Sequence, residues 1–152
     1  MASLFSKLFD IEKGVPDTGD SQDKIRIATC IVLLEIANAD DEFTPDEKAV
    51  IGAILKERFG LSGVEVETLM HEASRRIAAS IDTWSLTRIL AESLTEAERI
   101  EIMESVWRVI YTDGQLSGHE DSLVHKVSFL LELTHDQLIS AKLKIQKENR
   151  RS

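Results

Sequence analysis

Ala39-Asp40-Asp41-Glu42-Phe43-Thr44-Pro45-Asp46-Glu47 returns 73 residues later as Thr112-Asp113-Gly114-Gln115-Leu116-Ser117-Gly118-His119-Glu120. Aligned without a gap, Asp40 falls on Asp113, Phe43 on Leu116, Thr44 on Ser117 and Glu47 on Glu120. The shared frame is Asp, three residues, a hydroxyl, two residues, Glu. Each copy stands between two apolar runs of helical spacing, so the frame is that of a duplicated helix pair joined by an acidic turn. Four carboxylates thereby take equivalent positions in two related turns.

Working outward, helix starts are marked by pairs in which a Ser or Thr hydroxyl and a Glu or Gln three residues on satisfy each other's backbone amides. The pairs are Thr44/Glu47, Ser62/Glu65, Thr95/Glu98, Ser117/Glu120 and Thr134/Gln137. Apolar periodicity then predicts helices over about 22–39, 45–59, 63–79, 82–94, 96–111, 118–131 and 135–148. The first is apolar on most sides, through Ile25, Ala28, Ile31, Val32, Leu34 and Ile36, and belongs at the centre of a bundle. Gly60 is placed to stop the second. Ser62-Gly63-Val64-Glu65 also matches Thr134-His135-Asp136-Gln137, so each copy covers three helices, about 22–79 and 95–149. The expected fold is all-α: a pseudo-two-fold bundle of about seven helices from a duplicated three-helix unit, plus a short N-terminal helix.

The N-terminal segment, 1–13, carries Leu4, Phe5, Leu8 and Phe9 on one helical face, and 14–21 has the composition of a linker before a single domain over 22–149. A membrane or partner anchor and a helix packed on its own domain are both open to it. The second is favoured, because the segment is short and weakly basic for interfacial binding.

The chain has 152 residues, 43% hydrophobic and 30% charged, as expected of an ordered globular domain. Its net charge of −9 argues against a nucleic-acid partner, whose phosphates need lysine and arginine. The charge is uneven: the acidic Asp40–Glu47 stretch contrasts with Lys142, Lys144, Lys147, Arg150 and Arg151, which read as a solvated helix end suited to the negative dipole pole. The single cysteine, Cys30, lies in an apolar run and reads as core. With no signal peptide and no apolar stretch of about 20 residues, no transmembrane segment is expected. The expected compartment is the cytoplasm, with peripheral attachment at the inner membrane left open.

Most of the acidic motif has a structural explanation. Glu47 and Glu120 are capping-box residues, and Asp41 and Gly114 suit a tight turn. Asp40 and Asp113 are harder to absorb, since each ends a long helix where the macrodipole is negative, costing roughly 0.3–1 kcal/mol. Should the turns face each other, Asp40, Glu47, Asp113 and Glu120 would repel, and a divalent cation is the simplest neutraliser. Asp41, Glu42 and His119 are weaker candidates for the same site. All-oxygen ligands favour Ca²⁺, Mg²⁺ or Mn²⁺ over zinc. An EF-hand is excluded, because counting from Asp40 puts Pro45 at the required glycine and Ile51 at the bidentate glutamate. No catalytic residues and no organic cofactor are expected, for there is no nucleophile elbow, phosphate loop or Cys/His pair.

These residues carry a family resemblance. Ala37-Asn38-Ala39-Asp40-Asp41-Glu42-Phe43-Thr44-Pro45-Asp46-Glu47, Phe59-Gly60-Leu61 and Trp107-Arg108-Val109-Ile110-Tyr111-Thr112-Asp113-Gly114-Gln115-Leu116 resemble the tellurite-resistance TerB-like family, over about 22–147. The resemblance implies an all-α bundle, an acidic cluster proposed to bind divalent metal, and a bacterial stress-response role. Similar domains occur in a membrane-anchored J-domain co-chaperone. By motif position the family's acidic residues fall on Asp40, Glu47, Asp113 and Glu120. The chain departs at Asp41, where the first turn usually has glycine, and at His119, opposite Asp46. Two functions follow: a cation-binding stress-response domain within a larger protein or membrane-associated complex, and a non-catalytic module whose acidic face recruits a partner while the motif residues only cap helices. Direct binding of tellurite is disfavoured, since carboxylates repel anions.

Overall fold

The computed structural model describes residues 20–39, 43–79, 83–112 and 118–151, with the side chains of 20, 21, 83, 84, 118–121 and 151 left aside. Seven helices follow: α1 (Asp20–Ala37), α2 (Pro45–Phe59), α3 (Gly63–Ala78), α4 (Thr83–Ser93), α5 (Glu96–Ile110), α6 (Gly118–Leu130) and α7 (His135–Arg151). The described residues are all-α, as the periodicity predicts. The N-terminal helix and the linker expected over 1–19 lie outside the described residues.

Local chemistry sets the helix boundaries. Thr44, Ser62 and Thr95 are extended N-caps with complete capping boxes to Glu47, Glu65 and Glu98. The Thr134 amide likewise donates to Gln137 Oε1 (2.8 Å), and the Gln137 amide to Thr134 Oγ1 (3.1 Å). Four of the five expected pairs thus start helices, while Ser117/Glu120 lies outside the described residues and side chains. α2 stops at Gly60, whose φ of 64° is the left-handed conformation that a side chain resists. The last helix runs three residues beyond its expected end, to Arg151.

α1 is apolar on most sides and therefore central. Ile27, Ala28, Cys30, Ile31, Val32, Leu33, Leu34 and Ile36 are all buried. This helix touches every other one except α7 among the principal contacts of the described residues. α5 is the second core helix, burying Ile102, Met103, Val106, Val109 and Ile110 against α1, α2, α6 and α7. Each fully buried leucine or isoleucine contributes about 1.5–3 kcal/mol, so these two faces dominate the stability. Trp107 sits between α5 and α7: its indole N–H donates to Leu138 O (3.3 Å), and its ring stacks on Tyr111 (5.8 Å) and lies under the Lys142 ammonium (5.6 Å). No helix among the described residues is long and apolar enough to cross a membrane.

Candidate functional site

The helices that lead into the two acidic stretches end in the same way. The Asn38 amide donates to Leu34 O and the Tyr111 amide to Trp107 O, both at 2.9 Å; Ala39 donates to Ile36 O and Thr112 to Val109 O, both at 3.2 Å. Every donor and acceptor pair differs by the 73-residue offset of the sequence frame. The turns closing each copy also correspond. Leu61 donates to Lys56 O and Leu133 to Ser128 O, across left-handed residues Gly60 (φ 64°) and Glu132 (φ 59°). The correspondence is one of local turns. Packing around them differs, since α2 lies against α3 while α6 and α7 share no principal contact among the described residues.

Helix direction follows from contacts at the opposite end of the bundle. Arg58, in the last turn of α2, donates to Glu98 O (3.1 Å) and Glu101 Oε1 (3.3 Å) in the first turns of α5. Arg26, near the start of α1, lies over the Phe59 ring at 5.8 Å. Arg99, also near the start of α5, donates to Leu131 O just beyond α6 at 2.7 Å. The start of α1, the end of α2, the start of α5 and the end of α6 therefore share one end of the bundle. Since the helices run straight across it, the end of α1, the start of α2, the end of α5 and the start of α6 share the other. Those four helix ends border the two acidic stretches.

Of the residues expected to bind a cation, Glu47 is the one whose side chain is described. It is 1% exposed, although helix initiation alone would leave a first-turn glutamate in solvent. Its Oε1 accepts from the Thr44 amide (2.9 Å) and hydroxyl (3.2 Å), and its own amide donates to Thr44 Oγ1 (3.1 Å). Oε2 accepts no hydrogen bond from the described residues. Asp40, Asp41, Glu42 and Asp113 lie outside the described residues; His119 and Glu120 stand in the first turn of α6, with side chains outside them.

A carboxylate that pattern reading passed over stands close to this end. Glu35, in the last turn of α1, is half-buried, and burial pushes its carboxyl above the ordinary carboxylate range, with Lys126 of α6 partly offsetting the rise. Its signal in the sequence is an isolated acid in the run Ile31-Val32-Leu33-Leu34-Glu35-Ile36. Sequence reading also missed the buried pair on α3, where Glu72 (1% exposed) accepts from Arg76 Nε (2.8 Å) and from Arg75 Nη2 (2.7 Å). Nothing in the local pattern marks Glu72 and Arg76 as buried, while Arg75 stays exposed. A groove of about 600 Å³ between α2 and α5 has most of its cations engaged: Arg58 with Glu101 and Lys144 with Glu104 inside it, and Arg108 with Glu148 at its edge.

An all-α bundle in which the four helix ends bordering two acidic stretches of sequence share one end is the class of domain that the described residues define. Residues 26–143 match the family model described as tellurite resistance protein TerB, and the chain belongs to that family. Among solved structures it is similar to a protein of unknown function from Porphyromonas gingivalis W83, with a TM-score of 0.61 at 20% identity over 81% of this chain and 88% of that one. At that identity the likeness is one of fold. No curated protein matches significantly.

Proposed function

We propose that this TerB-family chain is a tellurite-resistance-type stress-response domain that binds a divalent cation between its two acidic turns, as part of a larger complex. The observation that carries this is the common location, at one end of the bundle, of the four helix ends bordering Asp40–Glu47 and Asp113–Glu120, with a buried Glu47 carboxylate there whose Oε2 accepts no hydrogen bond from the described residues. The donor set suits a hard cation, Ca²⁺, Mg²⁺ or Mn²⁺, since every main candidate is a carboxylate. Glu47 would bind through Oε2 alone, its Oε1 being taken by the cap. Asp40, Asp113 and Glu120 are the partners proposed for it, with Asp41, Glu42 and His119 secondary.

The engagement of Glu47 Oε1 with Thr44 favours a second reading, a non-enzymatic interaction module whose motif residues only cap helices and whose acidic end recruits a basic partner. Thermal unfolding of metal-stripped protein separates the two. A saturable rise in Tm with one of the three ions, absent from an Asp40→Asn/Asp113→Asn variant, supports the cation site, because a ligand that binds only the native state stabilises it. An equal Tm with and without millimolar ion in both proteins removes it.

A further inference from the structure

α7 packs on α5 through Leu138, Ala141 and Ile145, all buried. The opposite side presents Ser140, Leu143, Lys144, Lys147 and Arg150, spaced i, i+3, i+4, i+7 and i+10 and so forming one outward stripe. These residues and Gln146 line a shallow groove of about 500 Å³ that has no carboxylate in its wall. Leu143, in its middle, is 57% exposed. Lys147 and Arg150 form no ion pair among the described residues, and Lys144 keeps a largely exposed side chain while touching Glu104 at 3.2 Å. The helix dipole accounts for cations in the last turn only and Glu104 for part of Lys144, so neither explains the exposed Leu143 two turns upstream.

From this stripe we infer a docking surface for an acidic helical segment of a partner protein. Carboxylates spaced one and two turns apart would meet Lys144, Lys147 and Arg150, and one apolar residue would cover Leu143. Charge complementarity selects the occupant. A flat anionic bilayer would bring a chain of net charge −9 against it over a wide area, whereas a single helix touches only the stripe, and charges beyond a Debye length of about 8 Å are screened. α7 also has no free apolar face to insert in lipid, because that face is already buried on α5.

The test is fluorescence anisotropy of the full chain with a labelled helical peptide bearing Glu at positions i, i+4 and i+7 and Leu at i+3. A control peptide of the same composition has its carboxylates dispersed around the helix. Saturable binding is expected, weakened at least about tenfold by Lys147→Glu/Arg150→Glu and several-fold by Leu143→Ala or by raising salt from about 50 to 300 mM. The Tm of each variant is expected to stay within about 5 °C of the wild type, the charge reversal losing only the favourable placement of two cations near the helix C-terminus. Absence of binding at millimolar peptide, equal binding of the control peptide, or equal binding by the charge-reversed variant would overturn the inference. So would capture by phosphatidylglycerol vesicles in place of the peptide, or a wild-type dimer that the charge reversal dissolves, which would make a second copy the occupant.

Discussion

Glu47 permits the cap and the cation to be tested on one side chain. Replacing it with alanine removes the acceptor for the Thr44 amide and hydroxyl and deletes two buried side-chain carbons. Loss of the capping box costs roughly 1 kcal/mol, and the lost burial about as much again. For a chain of this size 1 kcal/mol moves Tm by about 2–4 °C, so Glu47→Ala is expected to melt about 4–8 °C lower. Glutamine keeps both the methylenes and an Oε1 that accepts in the same box, so metal-free Glu47→Gln is expected within about 2 °C of wild type. A cation at 100 times its Kd adds about 2.7 kcal/mol, or roughly 5–11 °C, to the wild type. Glu47→Gln, lacking an anionic oxygen, is expected to gain less than half of that. Scanning calorimetry of the three proteins, stripped and then titrated, reads both effects. A glutamine variant as unstable as the alanine variant would refute the cap. One that responds to cation as the wild type does would refute Glu47 as a ligand.

Other outcomes follow from described groups. Burial raises the Glu35 carboxyl, so its folded form favours the proton; stability is full below the ordinary glutamate range and falls as pH rises through the raised value. Glu35→Gln is therefore expected to be more stable than wild type at pH 7 and to lose that advantage by about pH 4, as read by urea denaturation across pH. At the two left-handed turn residues, Glu132→Gly is expected to stabilise by about 0.5–1 kcal/mol and Gly60→Ala to destabilise by about 1 kcal/mol, both measurable by urea unfolding; opposite signs would contradict the backbone assignment. Glu72→Ala leaves the buried Arg76 guanidinium without its 2.8 Å carboxylate contact and is expected to cost about 3 kcal/mol or more, and a loss below 1 kcal/mol would show the pair to be solvated. Burial pushes the Cys30 thiol far above the usual range, so a thiol reagent is expected to label it at the rate of unfolding, not at the rate of a free cysteine.

Helices, their starts and most of their stops were legible along the chain because each depends on residues within one turn. Thr44 with Glu47, Ser62 with Glu65 and Thr95 with Glu98 fix their own geometry whatever surrounds them. The apolar character of Ile25 to Ala37 on most sides likewise announced a central helix, since no single face could bury it. The repeat of Asp40 to Glu47 at Asp113 to Glu120 pointed to matched turns, and the hydrogen bonds ending α1 and α5 match at the same offset. The family followed from the same motifs. Burial of charge was different: Glu47, Glu72 and Arg76 look like surface residues in any local window, and only the helices packed over them take them out of solvent. The outward stripe of α7 was likewise undecided by sequence, for its cations read as a helix end until α5 claimed Leu138, Ala141 and Ile145 and left Leu143 in water. Hydrogen bonds inside a helix turn are set by neighbours in the chain, so the sequence by itself determined the helices and their caps. Solvent exposure and the meeting of distant helix ends are set by neighbours in space, and these only the tertiary structure decided.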